Sequence, residues 1–336
     1  MKKFFDIKRT KMTDDAAYRH KPVTVGKTVL VFILVSFIAS IISSLIPMMV
    51  ESAFTFSEAS KSGLLDAYTA AAKAGNAEAV DAILTEIFAS ATMPWWLIVV
   101  ELSSLAFVIG TVIFYCLKFE KRPFKSLGLR GGKSAIWESL LGFGIGAIIT
   151  ALVIGFAFAT TSVSFAFNSS FTTVFYLLIP ACFISALAEE MMWRGYLMTS
   201  IARDASPIKA ILISSVVYTV FNISLNPILI LNSFVFSFFM GVYVFKRGSI
   251  WGATFINFVW TYVTTAIFGS FLPITGETPS ILKTVFLRAD YVSGGEIFGF
   301  LGGLSFTLII VLALSVLLLT KTKKKEISSF TIDYFN

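Results

Sequence analysis

Long apolar stretches alternate along this chain with shorter polar ones. A helix needs about 20 apolar residues to cross the hydrocarbon core of a bilayer. Runs of that kind lie at roughly 28–50, 94–117, 137–160, 171–192, 207–222, 228–245, 250–270 and 297–319. The fifth and sixth are near the lower length limit. The pattern predicts an all-α polytopic membrane protein with about eight transmembrane helices.

The polar segments between the runs test that count. Lys and Arg number eight in residues 1–27, six in 118–136, three in 193–210, two in 246–249 and four in 320–336. The alternate segments hold only Lys61, Lys73, Lys283 and Arg288. Loops rich in Lys and Arg stay in the cytoplasm. Eight crossings put every basic segment on that side, with both termini. The first run follows a long basic stretch, has full spanning length and lacks a small-residue cleavage pattern after it, so it reads as a retained anchor.

The longest segment on the opposite side, 51–93, carries Glu51, Glu58, Asp66, Glu78, Asp81 and Glu86 against Lys61 and Lys73. Asn76 is placed to cap a following helix. Val80, Ile83, Leu84, Ile87 and Phe88 then fall on one helical face. An external amphipathic helix is expected there, either a connector lying on the bilayer or a partner surface.

Composition supports this reading: 56% of residues are hydrophobic and 14% charged, with a mean hydropathy of +0.83. Soluble domains run at about 25% charged. The net charge of +7 follows from loop topology, helped by anionic lipid, and does not call for nucleic acid. The chain has one histidine, His20, in the basic tail. That excludes a two-histidine zinc helix and argues against a Ser-His-Asp triad. Cys116 and Cys182 lie far apart in apolar runs and read as core residues. No metal or cofactor is expected.

Ionisable residues at membrane depth are functional candidates. The sharpest group is Glu189-Glu190-Met191-Met192-Trp193-Arg194, at the inner end of the fourth run. Glu190 and Arg194 are spaced i,i+4 with acid before base, the favourable order for a helical pair. Glu189 points about 100° away. One carboxylate is thus expected to be held and the other free to act as a general base on water. A structural ion pair near the membrane edge is the plain alternative. Glu101 lies inside the second run and Glu138 near the start of the third; either can pair with Arg194 or with a polar helix face. Gly142, Gly144 and Gly146 permit close helix packing. Asn222 and Asn257, with Thr261 one turn later, stand in apolar surroundings and can bridge helices.

Together these segments resemble the CPBP family of intramembrane proteases, the CAAX-protease and bacteriocin-processing (Abi) group. Its first motif, a Glu-Glu pair, three residues and Arg, is complete as Glu189, Glu190 and Arg194, followed by Gly195. The second, Phe, three residues and His after two serines, has Ser214 and Ser215, but Tyr218 for Phe and Asn222 for His. The third, His, three residues and Asn or Asp, follows Gly248, Ser249 and Trp251 but has Asn257 and Thr261 at its key positions. The resemblance covers roughly 125–270. It divides the chain into a basic tail (1–27), two N-terminal transmembrane helices with the external segment (28–124), a family-like core (125–270), and an external loop, last helix and basic tail (271–336).

The resemblance implies a helical bundle in a bacterial cytoplasmic membrane, with a cavity where the first glutamate and the second-motif histidine activate water. The third-motif pair would stabilise the oxyanion. An asparagine side chain has no proton to exchange near neutral pH, so it cannot replace histidine as a base. Losing a positioned acid-base group forfeits about 10²–10⁴-fold in rate. Three functions follow. The first is a catalytically degenerate homologue acting as regulator, scaffold or immunity factor for a membrane protein or hydrophobic peptide. The second is a glutamate-dependent endopeptidase with Glu189 as base, Arg194 orienting Glu190, and Asn222 and Asn257 as oxyanion donors. The third is a small transporter using Glu101 with Glu189 and Glu190.

Overall fold

The computed structural model describes residues 7–17, 21–90, 95–168, 173–270, 280–287, 292–295 and 299–320. His20, the loop 271–279, Arg288 and the basic residues after 320 lie outside them.

The described parts of all eight apolar runs are mainly helical. Helix α1 (Lys11–Ala17) precedes α2 (Val25–Lys61), α3 (Leu64–Lys73) and α4 (Ala77–Ser90). Then come α5 (Trp95–Ser104), α6 (Ala106–Lys118), α7 (Lys133–Ala159), α8 (Leu178–Glu190), α9 (Thr199–Asp204) and α10 (Pro207–Phe221). Helices α11 (Pro227–Arg247), α12 (Trp251–Tyr262) and α13 (Leu304–Leu319) complete the bundle. Five helical stretches among the described residues are long and apolar enough to cross a membrane: Val25–Lys61, Val99–Lys118, Lys133–Ala159, Phe175–Asp204 and Pro227–Arg247. Helices α10 and α13 are shorter apolar helices. The protein is an all-α, multi-pass membrane protein.

The boundaries differ from the sequence reading in three places. Helix α2 continues through Pro47 to Lys61, so the first part of segment 51–93 is helix and not connector. At 1.5 Å per residue, its 37 residues run about 55 Å, well beyond the hydrocarbon core. The second run is interrupted at Leu105 between α5 and α6. The fourth continues past the charged residues: α8, a π-helical stretch over Met191–Met198, and α9 form one helix. Glu189 and Glu190 therefore sit in its middle and not at its end. An internal ion pair lets the helix carry these charges, which in sequence look like a boundary.

Within segment 51–93, Asn76 Oδ1 accepts from the Ala79 amide at 3.1 Å and starts α4. Val80, Ile83 and Leu84 are half-buried and Ile87 is buried, so the amphipathic face exists. It packs against α3 and α2.

Helix α12 is the centre of the bundle, packed chiefly on α7 and α8. Gly142 makes the α7 contact possible, since a Cβ there would stand 2.1 Å from the Gly252 carbonyl oxygen. At Gly146 it would meet Ile256 Cα at 3.0 Å. Gly144 faces open space, so two of the three glycines serve the packing.

The basic segments gather at one end. Arg9 donates to the carbonyls of Ala202 and, at 2.8 Å, Arg203. The N-terminal segment is thus folded onto the bundle from residue 7, with Met12 and Ala16 buried. Arg203 grips Glu120 through two nitrogens at 3.0 and 3.1 Å. Lys246 donates to the carbonyls of Leu317, Leu318 and Thr320 at 2.6–3.1 Å, closing the C-terminus of α13. Arg247 pairs with Glu138 at 2.7 Å. Gly248, at φ 70°, ends α11 in the left-handed conformation that glycine adopts without strain. At the opposite end, two short strands not foreseen in the sequence, β1 (Val163–Phe167) and β2 (Leu282–Phe286), pair antiparallel with Val163 opposite Phe286.

Candidate functional site

The site begins with the turn that follows Glu190. From Met191 to Met198 the helix is π-helical, a geometry that opens the backbone and often marks functional positions. Arg122, with its side chain fully buried, secures this stretch. Its guanidinium donates to the Gly195 carbonyl at 3.2 Å, Thr199 Oγ1 at 2.7 Å, Ser200 Oγ at 2.9 Å and Ser126 Oγ at 3.1 Å. Gly195 is required where the π-helical stretch meets the 3₁₀ turn at Phe124–Leu127, since a Cβ would lie 2.8 Å from the Leu127 carbonyl oxygen.

Glu190 and Arg194 form the pair that their spacing predicts, at 3.1 Å, with side chains 0% and 2% exposed. Arg194 also donates to the Ser237 carbonyl at 3.4 Å and lies over the Tyr218 ring, 5.3 Å from its centroid. Trp193 also meets Tyr218, edge-on at 5.1 Å. An aromatic ring at position 218 therefore shields the cation.

Glu189 turns the other way, into a cavity of about 260 Å³. Tyr218, Asn222, Asn257 and Thr261 share that cavity. Five of the seven candidate residues thus line it, and Glu190 and Arg194 stand directly behind. Glu189 is not free, as the sequence reading expected. Its carboxylate accepts from Asn257 Nδ2 at 2.5 Å. The orientation of this amide follows from chemistry: a carboxylate only accepts, so the nitrogen must face it. Thr261 Oγ1 donates to Asn257 Oδ1 at 3.4 Å. Asn222 donates back to its own helix, to the Tyr218 carbonyl at 2.9 Å.

Residues 170–263 match the family model described as type II CAAX prenyl endopeptidase Rce1-like. This region is Rce1-like. No curated protein matches the chain. The Rce1-like region holds the Glu-Glu-Arg helix, α10, α11 and α12. It lies inside the 125–270 core that the motifs outlined, and the recognition from those motifs agrees with it.

Other sequence candidates fall outside the Rce1-like site. Glu138 meets Arg247 and not Arg194. Glu101 has an exposed side chain and is not among the lining residues. Cys116 and Cys182 are buried free thiols.

The sequence reading missed several lining residues. Thr264, Thr265 and Ser270 extend the Asn257 face of α12, and Trp260 and Phe236 supply apolar wall. Thr261, Thr264 and Thr265 continue that face at helical spacing from Asn257, so part of this stripe was legible. Phe300 and Leu301 arrive from a 3₁₀ turn far along the chain, and no local pattern announces them. Among the described residues no cluster of three or more His, Cys, Asp or Glu side chains forms.

Proposed function

We propose that this membrane protein of the CAAX-protease group is a catalytically degenerate homologue. It keeps the fold and the cavity and binds a membrane protein or hydrophobic peptide, as a regulator, scaffold or immunity factor. One observation carries the reading: the Glu189 carboxylate is tied to the Asn257 amide. A general base needs a lone pair aimed at water and a partner that takes the proton onward. An amide N–H supplies neither.

The oxyanion role is equally compromised. Donors for a developing oxyanion must point at the reacting centre. Asn257 points at Glu189 and Asn222 at the Tyr218 carbonyl. The Glu190–Arg194 pair then serves the bundle.

The test is reconstitution of the purified protein with quenched-fluorescent membrane peptides, prenylated and unprenylated, comparing wild type with Glu189→Gln. The expected result is no difference between them and no turnover above the lipid blank. Cleavage that disappears in Glu189→Gln overturns the proposal in favour of a glutamate-dependent endopeptidase. Asn222→His with Asn257→His is the complementary arm: cleavage that arises only in this pair shows that the cavity geometry outlived its chemistry.

A further inference from the structure

The corner that follows α6 separates its charges. Leu117-Lys118-Phe119-Glu120-Lys121-Arg122 carries three cations and one acid, at the end of the bundle where the basic segments gather. Glu120 and Arg122 are drawn inward. The Glu120 side chain is 13% exposed and holds both Arg203 and Arg122, and Arg122 clamps the π-helical stretch. Lys118 and Lys121 are left outside. Both are exposed, and neither side chain makes a hydrogen bond or ion pair among the described residues. A lysine near a helix C-terminus often caps its carbonyls. Here the Tyr115 carbonyl accepts from the Phe119 and Glu120 amides, and the Cys116 carbonyl from the Arg122 amide.

Lys121 adds an independent observation. Its φ is 54°, in the left-handed region where glycine is free of strain and a residue with a side chain is not. The chain keeps a cation where the backbone alone would favour glycine. Strain of this kind clusters at functional positions.

The apolar residues of the corner continue a lipid-facing surface. Phe114 belongs to the membrane-spanning stretch Val99–Lys118 and is 57% exposed. The Phe119 ring meets it edge-on at 5.9 Å, stacks on Tyr115 at 5.4 Å, and is itself 67% exposed. Phe119 thus carries the outer face of α6 past its last turn, with an unpaired lysine on either side of it in sequence. Aromatic rings set beside lysines at a bilayer edge suit the boundary between acyl chains and headgroups, where a lysine keeps its stem in apolar surroundings and its ammonium in water. An ammonium binds phosphate oxygens as a point charge. With Glu120 turned inward, the two lysines favour a headgroup of net negative charge. A choline headgroup would bring a cation of its own.

We propose that this corner is a binding site for an anionic phospholipid of the leaflet that meets the basic end. Lys118 and Lys121 hold the headgroup phosphate, and the acyl chains lie along Phe119 and Phe114. Lys125, on the next turn, lies close enough to Asp15 to feel its charge and is not part of the site. The general attraction of basic loops to anionic lipid is spread over many residues, whereas this site is confined to one corner. It does not depend on what the Glu189 cavity binds.

The test is native mass spectrometry of the purified full chain in neutral detergent, titrated with dioleoylphosphatidylglycerol or dioleoylphosphatidylcholine. Wild type should bind the first phosphatidylglycerol about fivefold or more tighter than phosphatidylcholine, which is the share of about one lysine at an anionic surface. Lys118→Gln with Lys121→Gln should erase that preference. Lys133→Gln with Lys209→Gln removes the same charge from exposed lysines elsewhere at the basic end and should leave the preference in place. Phe119→Ser should weaken both lipids and not their ratio. Equal loss in the two lysine pairs would show diffuse attraction and overturn the site. So would a wild type without preference, a preference that survives in the Lys118 and Lys121 pair, or lipid binding indifferent to Phe119→Ser. Displacement of phosphatidylglycerol by equimolar inorganic phosphate would overturn it as well, since the corner would then take the anion without its lipid.

Discussion

Arg194→Met should destabilise this protein severely, and adding Glu190→Gln should restore most of the loss. The pair has side chains 2% and 0% exposed with the charges 3.1 Å apart. Removing the guanidinium strands Glu190 without its counter-charge, and breaking a buried pair from one side costs about 3–5 kcal/mol. The cation–π contact with Tyr218 adds about 0.5–2 kcal/mol. Replacing both partners by neutral side chains of similar size removes the stranded charge and is often close to neutral. An unfolding entropy of about 2.1 cal/mol/K per residue, taken over 336 residues, makes 1 kcal/mol worth about 1.4 °C. The single variant should therefore melt about 5–10 °C below wild type. The double variant should recover at least half of that gap. The assay is thermal unfolding of both variants with Glu190→Gln alone, in one detergent. An Arg194→Met midpoint within about 1 °C of wild type, or a double variant no better than the single, would refute the assignment of the first motif to structure.

The remaining predictions probe other parts of the frame. Arg122→Met removes the donors to Gly195, Thr199 and Ser200 while Glu120 keeps Arg203. It should cost about 2–4 kcal/mol and speed amide exchange over 191–199 before the rest of the bundle; uniform exchange would count against a local clamp. Gly142→Val should block close α7–α12 packing and sharply reduce the yield of folded protein. Gly144→Ala, with open space at its Cβ, should be neutral or stabilising by about 0.5–1 kcal/mol; similar outcomes for both would refute the packing geometry. Burial raises the Asp15 carboxyl above its ordinary value of 3.8, against the pull of Lys11 and Arg130. A raised carboxyl favours folding below its unfolded value, and that contribution is lost as pH rises through the folded value. Asp15→Asn should therefore melt slightly higher than wild type at pH 7 and lose that advantage near pH 3; an equal gap at both would discard the burial effect.

The fold was legible because a bilayer leaves few options. Apolar runs of spanning length must be helices, and helices occupy the described parts of all eight runs, the second as two helices and the last from Leu304. The Glu190–Arg194 pair was legible because both partners lie on one turn. What escaped was set by contacts across the chain: Glu138 with Arg247, 109 residues apart, Arg122 with Thr199, 77 apart, and the strand pair joining 163 to 286. Helix continuity through 189–194 escaped for another reason. Hydropathy scores each charge singly, whereas the helix carries Glu190 and Arg194 as a neutral unit.

The same distinction explains which motif residues can change without collapse of the bundle. Glu190 and Arg194 penalise each other's loss, so neither is replaceable alone. Position 257 is different. Its task toward Glu189 in this structure is to present one N–H, and an asparagine does that at 2.5 Å. An imidazole N–H at that position could make the same bond and also exchange its proton near neutral pH. An asparagine there makes the hydrogen bond but has no proton to exchange near neutral pH. Asn222 makes the complementary case: its amide donates to the Tyr218 carbonyl one turn back. The cavity has its carboxylate, its hydroxyls and its aromatic wall, which is what the proposed binding function requires.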